Sequence, residues 1–246
     1  MTEGTLAPGA TRLTVFGVTD PGRQREDNQD TFLAADLSVP GRDGGFRLSS
    51  LDGFPTEAPA RSFDLGRKGS LLLVADGMGG AAGGQVASRM AATCVYEMLS
   101  GGWVPGPSSG PEAFRAQLVE AAEQANTRVH EWSLRHDQYR GMGSTLTLAG
   151  VLDDAVHLAQ VGDSRAYLIR NGEPRQLTED QTVVQQLLDA GALDEAEAER
   201  SPQRHVLLQA LGPESRVQVA TSSQQLRHGD VLLLCSDGLS GVLDAE

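Results

Sequence analysis

Apolar and polar positions along the chain fall into three rhythms, each predicting a different kind of element. Residues 71–74 are an unbroken apolar run that passes through Ala75 into Asp76 and a loop of Gly77, Met78, Gly79 and Gly80. A continuous apolar run closed by a turn signal reads as a buried strand, which puts Asp76 where the strand leaves the core. A near-copy at residues 231–238 places Asp237 in the same position on another strand. Residues 12–18, 144–152, 155–161 and 165–170 are β-branched or alternating. The last three are separated by the turn signals Asp153-Asp154 and Gly162-Asp163-Ser164, so they predict an antiparallel meander, which Asn171-Gly172 ends with a type I′ hairpin signal. Helical spacing takes over at residues 83–99, where Val86, Met90, Cys94 and Met98 predict the core face. A second helix is predicted from Pro111, with Phe114, Leu118, Ala121, Ala125, Val129 and Trp132 in step. Residues 182–190 and 194–200 read as two short helices around Gly191, and Val217 and Val219 resume a strand pattern. Strands in antiparallel sets, with two long helices between them, predict an α+β fold rather than a parallel βαβ one.

The stretches between these elements add less. Residues 19–30 are dense in charge and amide groups, and within them Arg25 offers a planar fork suited to phosphate beside Asn28, Gln29 and Asp30. Residues 36–69 are rich in Gly, Pro, Ser and Arg without a sustained period and read as a long loop or hairpin insertion. His130 and His136 have no second ligand at metal spacing and read as surface or satisfied histidines. At 246 residues the chain is expected to form a single domain, with residues 1–11 as a tail.

Composition narrows the classes of partner. A net charge of −13 argues against nucleic acid or an anionic membrane as a general partner, because both require basic surface, whereas an acidic surface suits cations. Two cysteines, Cys94 and Cys235, in apolar contexts make a disulfide framework unexpected and point to a reducing cytosol. The N-terminus has no basic segment followed by an apolar one, and no apolar run approaches the roughly 20 residues that span a bilayer. A soluble, cytoplasmic protein is the expectation.

Two chemistries compete for the glycine loop after Asp76. Gly77-x-Gly79-x-x-Ala82 between a strand and a helix fits a dinucleotide fingerprint, with Glu97 at the right distance. Glu97, however, falls inside the helical run rather than at the end of a second strand, and that fold places no acid just before its first glycine. Two strand-end carboxylates with a glycine carbonyl and an acidic loop instead supply hard oxygen ligands without imidazole or thiolate. That donor set selects Mg²⁺ or Mn²⁺ over Zn²⁺. Two such ions about 4 Å apart activate water and clamp a phosphoryl group for in-line attack.

Five stretches in order carry a family resemblance. They are Arg25-Glu-Asp-Asn-Gln-Asp30, Val74-Ala-Asp-Gly-Met-Gly-Gly80, Gly141-Met-Gly-Ser-Thr145, Val161-Gly-Asp-Ser-Arg-Ala-Tyr167 and Leu234-Cys-Ser-Asp-Gly-Leu239. Together they resemble the metal-dependent PP2C (PPM) serine/threonine protein phosphatases of bacterial type, over residues 12–246. The resemblance implies a four-layer αββα sandwich, with two antiparallel sheets flanked by helices and the metals at one end. It implies Asp76 as the bridging ligand of two ions, Gly77 as a ligand through its carbonyl, and Asp237 as a further carboxylate. Arg25 matches the phosphate-binding arginine, Asp30 the acid that acts through metal-bound water, and Asp163 a structural or second-shell residue. Residues 176–212 resemble a flap beside the active site that influences substrate choice.

Three departures accompany the match. Met78 stands where many eukaryotic members have a histidine proposed as general acid, which leaves protonation of the leaving group to solvent. Asp137 is the acid near the place of a third-metal ligand, offset by a residue from the family's position. The family pattern also continues past Asp237-Gly-Leu239 with a helix and a last strand bearing Asp-Asn, and residue 246 comes before both. Asp244 reads as a helix-start residue. The expected activity is hydrolysis of phosphoserine and phosphothreonine in proteins by a metal-activated water, with Mn²⁺ or Mg²⁺ as cofactor. The partners are phosphorylated proteins and the bacterial Ser/Thr kinases it opposes, and the expected state is a monomer. The alternative is a catalytically silent regulator that binds a phosphoprotein or kinase, suggested by the absent Asp-Asn strand.

Overall fold

The computed structural model describes residues 11–23, 27–38, 46–52, 57–80, 83–105 and 110–243. The first half contains strands β1 (Arg12–Val18), β2 (Asp30–Asp36), β3 (Arg47–Ser49), β4 (Glu57–Asp64) and β5 (Ser70–Met78), then helices α1 (Gly83–Gly102) and α2 (Pro111–Arg135). The second half continues with β6 (Gly143–Ser144), β7 (Leu146–Leu152), β8 (Ala155–Val161), β9 (Arg165–Arg170) and β10 (Glu173–Gln176). It ends with α3 (Val183–Asp189), α4 (Glu195–Arg200), β11 (Ala220–Gln225), β12 (Val231–Cys235) and α5 (Asp237–Ser240).

A large antiparallel sheet in the order β11-β8-β7-β5-β2-β3, with β6 paired to the end of β5, forms the centre. One face packs against α1 and α2. The core there includes Leu71, Leu73 and Ala75 of β5, Leu146 and Leu148 of β7, and Phe114, Leu118 and Val129 of α2. The opposite face carries two smaller sheets, β1-β4 and β10-β9-β12, through Val15 against Ala34 and Leu48, and Ala166 against Ala149, Val151 and Leu158. Between β1 and β12 runs a groove of about 720 Å³ lined by Val15, Phe16, Leu72, Leu232 and Leu234. Helices, sheet and facing sheets make the stacked α+β architecture expected from the pattern. Among the described residues, no helix is long and apolar enough to cross a membrane.

Several local expectations match what forms. Pro111 opens α2, and Phe114, Leu118, Ala121, Ala125 and Val129 are its buried face. Trp132, at 38% exposure, instead stacks on His136 with ring centroids 4.1 Å apart. Asn171 and Gly172 both have positive φ, 56° and 84°, as a type I′ turn between β9 and β10 requires. Thr182 and Asp194 cap α3 and α4.

Two expectations need correction. The buried face of α1 is Ala87, Ala91, Ala92, Cys94, Val95 and Leu99, while Val86, Met90 and Met98 are only partly buried at its margin. A strict four-residue spacing overshoots a helical turn by roughly 40° each step, so that stripe winds off the contact face. Small side chains on the true face let the helix lie close to the sheet. The second correction concerns residues 36–69, which are not loop throughout: β3 extends the large sheet beside β2, and β4 pairs with β1. Backbone pairing at sheet edges needs no apolar alternation, which hid these strands in a polar sequence.

Candidate metal centre

The end of β5 is where the chemistry converges. Asp76 lies directly opposite Asp30 in the β2-β5 register, and its backbone is held on every side. Its N–H donates to Thr145 Oγ1 at 3.0 Å, and its carbonyl accepts from Thr145 N at 2.8 Å and Ser144 Oγ at 3.0 Å. Thr145 Oγ1 also bonds Ser164 Oγ at 2.6 Å, so the Gly-Met-Gly-Ser-Thr and Gly-Asp-Ser-Arg stretches clamp the strand end between them. Gly77 N–H donates to Gln29 O at 3.2 Å, and a Cβ on Gly77 would collide with the carbonyl of Gly84. The start of α1 therefore rests backbone to backbone against the strand, which only glycine allows.

Like charges directly opposite in an antiparallel pair are destabilising, because their Cβ atoms are about 5 Å apart. Here Asp237 adds a third carboxylate from the start of α5. Burial, then the charges of Asp30 and Asp237, push the Asp76 carboxyl up to about 9. Ser236 Oγ donates to Asp30 Oδ2 at 2.7 Å. Among the described residues no Lys or Arg forms an ion pair with Asp30, Asp76 or Asp237; His205 Nδ1 is 3.9 Å from Asp237 Oδ2, and Arg23 lines the groove that all three aspartates border. Asp163 faces the same space, and burial, then Asp237 and Asp180, push its carboxyl up to about 6.

Asp76, Asp163, His205 and Asp237 line a cleft of about 320 Å³ with Gln29, Gly77, Met78, Gly79, Thr145 and Leu207, while Asp30 and Ser236 border the adjoining 720 Å³ groove, which Asp76 and Asp237 also line. Carboxylates driven together without a countercharge fit a hard divalent cation. Among the described residues, no three His, Cys, Asp or Glu side chains form a ready cage. Ions such as Mg²⁺ are held by one or two carboxylates and complete their shell with carbonyl oxygen and water.

The structure brings Asp30, Asp76, Gly77, Asp163 and Asp237 to one end of the sheets. Arg25 and Asp244 lie outside the described residues. Asp137 is elsewhere: its side chain is 91% exposed, bonded to Arg140 at 2.8 Å, and absent from the cleft wall. His205 had no signal in the sequence, and Ser236 stood in the motif ending at Leu239 with nothing local to disclose its bond to Asp30. Ser144 and Thr145 stood in a motif, but nothing local disclosed that they grip the backbone of Asp76.

The family model described as protein phosphatase 2C matches residues 60–246. Protein phosphatase PhpP of Streptococcus pneumoniae is 37% identical over 177 residues, which is 72% of this chain and 70% of that protein. Among solved structures, the serine/threonine phosphatase of S. agalactiae superposes with a TM-score of 0.72 at 28% identity, covering 96% of this chain and 83% of that one. The catalytic domain of the serine/threonine protein phosphatase PstP, in complex with two manganese ions, superposes with a TM-score of 0.64 at 29% identity, covering 94% and 79%.

Proposed function

The chain belongs to the protein phosphatase 2C family, and from that premise we propose that its substrates are phosphoserine and phosphothreonine side chains of proteins, hydrolysed in the cleft at the end of β5. Its relatives are named serine/threonine phosphatases. The observation that carries the reading for this chain is the convergence of Asp30, Asp76 and Asp237, which with burial pushes the Asp76 carboxyl up to about 9, with no Lys or Arg ion-paired to them among the described residues.

Two divalent ions, Mn²⁺ or Mg²⁺, would be held by Asp76 in common, by the Gly77 carbonyl and by Asp237. When bound they supply positive charge against the phosphoryl oxygens and lower the pKa of water toward neutrality. Asp76 is suited to sharing because the Thr145 and Ser144 bonds fix its main chain while its carboxyl stands in the cleft. Asp30, held by Ser236, adds negative charge and an acceptor for water beside that carboxyl. Asp163 adds negative charge to the opposite wall. Arg25 is assigned the substrate phosphate on its sequence motif alone. Residues 176–212, which bring His205 and Leu207 into the cleft wall, act as the flap that sorts substrates. The kinases that make those phosphoproteins are its functional counterparts, and free, buried Cys94 and Cys235 fit a reducing cytosol.

The test is release of inorganic phosphate from a phosphothreonine peptide. The proposal expects turnover with Mn²⁺, abolition by a chelator and recovery on re-addition. A metal-loaded protein that releases no phosphate from such peptides contradicts it.

A further inference from the structure

The segment after α4 brings His205 and Leu207 into the wall of the cleft. Its course is fixed by main-chain bonds: Val183 N donates to Val206 O at 2.9 Å, and Leu208 N to Gln181 O at 2.8 Å. Gln181 in turn is tied to the turn that carries Asp163, through Gln181 N to Gly162 O at 3.1 Å and Gly162 N to Gln181 Oε1 at 2.7 Å. His205 therefore stands on a strap laced to the floor of the site.

Its ring has one nitrogen engaged and one spare. Arg204 Nε donates to His205 Nε2 at 2.8 Å, while another nitrogen of the same guanidinium donates to Glu199 O at 3.2 Å. A guanidinium only donates, so Nε2 must carry its lone pair, and the neutral ring holds its proton on Nδ1. That tautomer is assigned from the hydrogen-bond network. Nδ1 is 3.9 Å from Asp237 Oδ2, too far for a hydrogen bond, and lies in the wall of the 320 Å³ cleft. Met78, which also lines the cleft, has a thioether that donates nothing.

We propose that His205 is a phosphate-binding residue, its Nδ1–H donating to an oxygen of the substrate's phosphoryl group, with Arg204 as the positioning residue that sets the tautomer. The inference rests on the phosphatase reading of the cleft. The donor comes from the strap and adds an N–H beside Asp76, Asp163 and Asp237 in the cleft wall.

The experiment measures binding of inorganic phosphate to the Mg²⁺-loaded protein by calorimetry, which requires no turnover, alongside KM and kcat on a phosphothreonine peptide. One hydrogen bond to a charged group corresponds to about a tenfold change in affinity. His205→Ala is expected to weaken phosphate binding and raise KM by about tenfold with Mg²⁺ affinity unchanged. His205→Asn, whose amide offers a donor at similar reach to Nδ1, is expected to recover most of the loss, which a merely structural role would not produce. Unchanged phosphate binding in His205→Ala overturns the inference. So does an Asn variant as weak as the Ala variant, or a parallel loss of Mg²⁺ affinity, which would place the effect on Asp237. Phosphate binding by a wild-type protein that turns over no peptide would count against the phosphatase reading while leaving the His205 comparison readable.

Discussion

Strands β5 and β12 run almost the same apolar sequence into an acid, yet the fold treats them differently. β5 is central, paired with β2 on one side and β7 on the other, and Leu71, Leu73 and Ala75 are fully buried under α1 and α2. β12 pairs, among the described residues, with β9 alone, and its other edge borders the groove toward β1. Val231 is 55% exposed, and Leu232, Leu233 and Leu234 are partly buried. The acids inherit the difference. Asp76 is still within its strand, with its peptide groups gripped by Ser144 and Thr145, whereas Asp237 begins a four-residue helix whose N-cap Ser236 makes no side-chain capping bond. Similar sequence thus builds a strand paired on both sides in one place and, among the described residues, a strand paired on one side in the other. What separates them is the number of neighbours each strand finds.

If the contrast holds, substitutions at corresponding positions have unequal effects. Asp76→Asn is expected to lower kcat by at least about 1000-fold in phosphopeptide assays with saturating Mn²⁺, because both proposed ions lose a shared ligand. The same variant should fold at least as stably as wild type without metal, since it removes a crowded carboxyl. Leu73→Ala in β5 should cost about 2–5 kcal/mol in denaturant unfolding, while Leu233→Ala in β12 should cost about 1 kcal/mol. Equal costs would break the comparison. Asp237→Asn should lower activity by about 10- to 100-fold and regain part of it as Mn²⁺ is raised, since weakened binding is remedied by mass action.

A further expected effect is on pH dependence. Asp76 and Asp163 have folded pKa values of about 9 and about 6, above the ordinary 3.8. The folded metal-free protein therefore holds protons that the unfolded chain releases, and its stability must fall as pH rises above about 4. The fall is steeper to about 6 while both groups contribute, and it continues toward 9 through Asp76 alone. The slope should be at most about 1.4 kcal/mol per pH unit per group. Divalent metal displaces those protons and should flatten the curve. Thermal melts with and without Mg²⁺ across this range check both the sign and the flattening.

Much of this arrangement was legible locally. An apolar run stopped by an acid and glycines located the end of β5, a helical period located the buried face of α2, and Asn171-Gly172 located a hairpin. The five ordered motifs carried the family and the group of Asp30, Asp76, Gly77, Asp163 and Asp237. What stayed hidden depends on pairing between distant segments. The opposition of Asp30 and Asp76 is a matter of register, and β4 is a polar strand made by its partner. Ser236 reaches an aspartate 206 positions away. His205 lies in an exposed stretch whose neighbours give no period, so only the closed strap reveals what it faces.

The central claim is that Asp76 is held rigidly so that it can serve two ions at once, with Asp237 serving one. Calorimetric titration of Mn²⁺ into the wild type, Asp76→Asn and Asp237→Asn tests it most directly. Two sites are expected in the wild type, loss of both in Asp76→Asn, and loss or weakening of one in Asp237→Asn. Two intact sites in Asp76→Asn would contradict it.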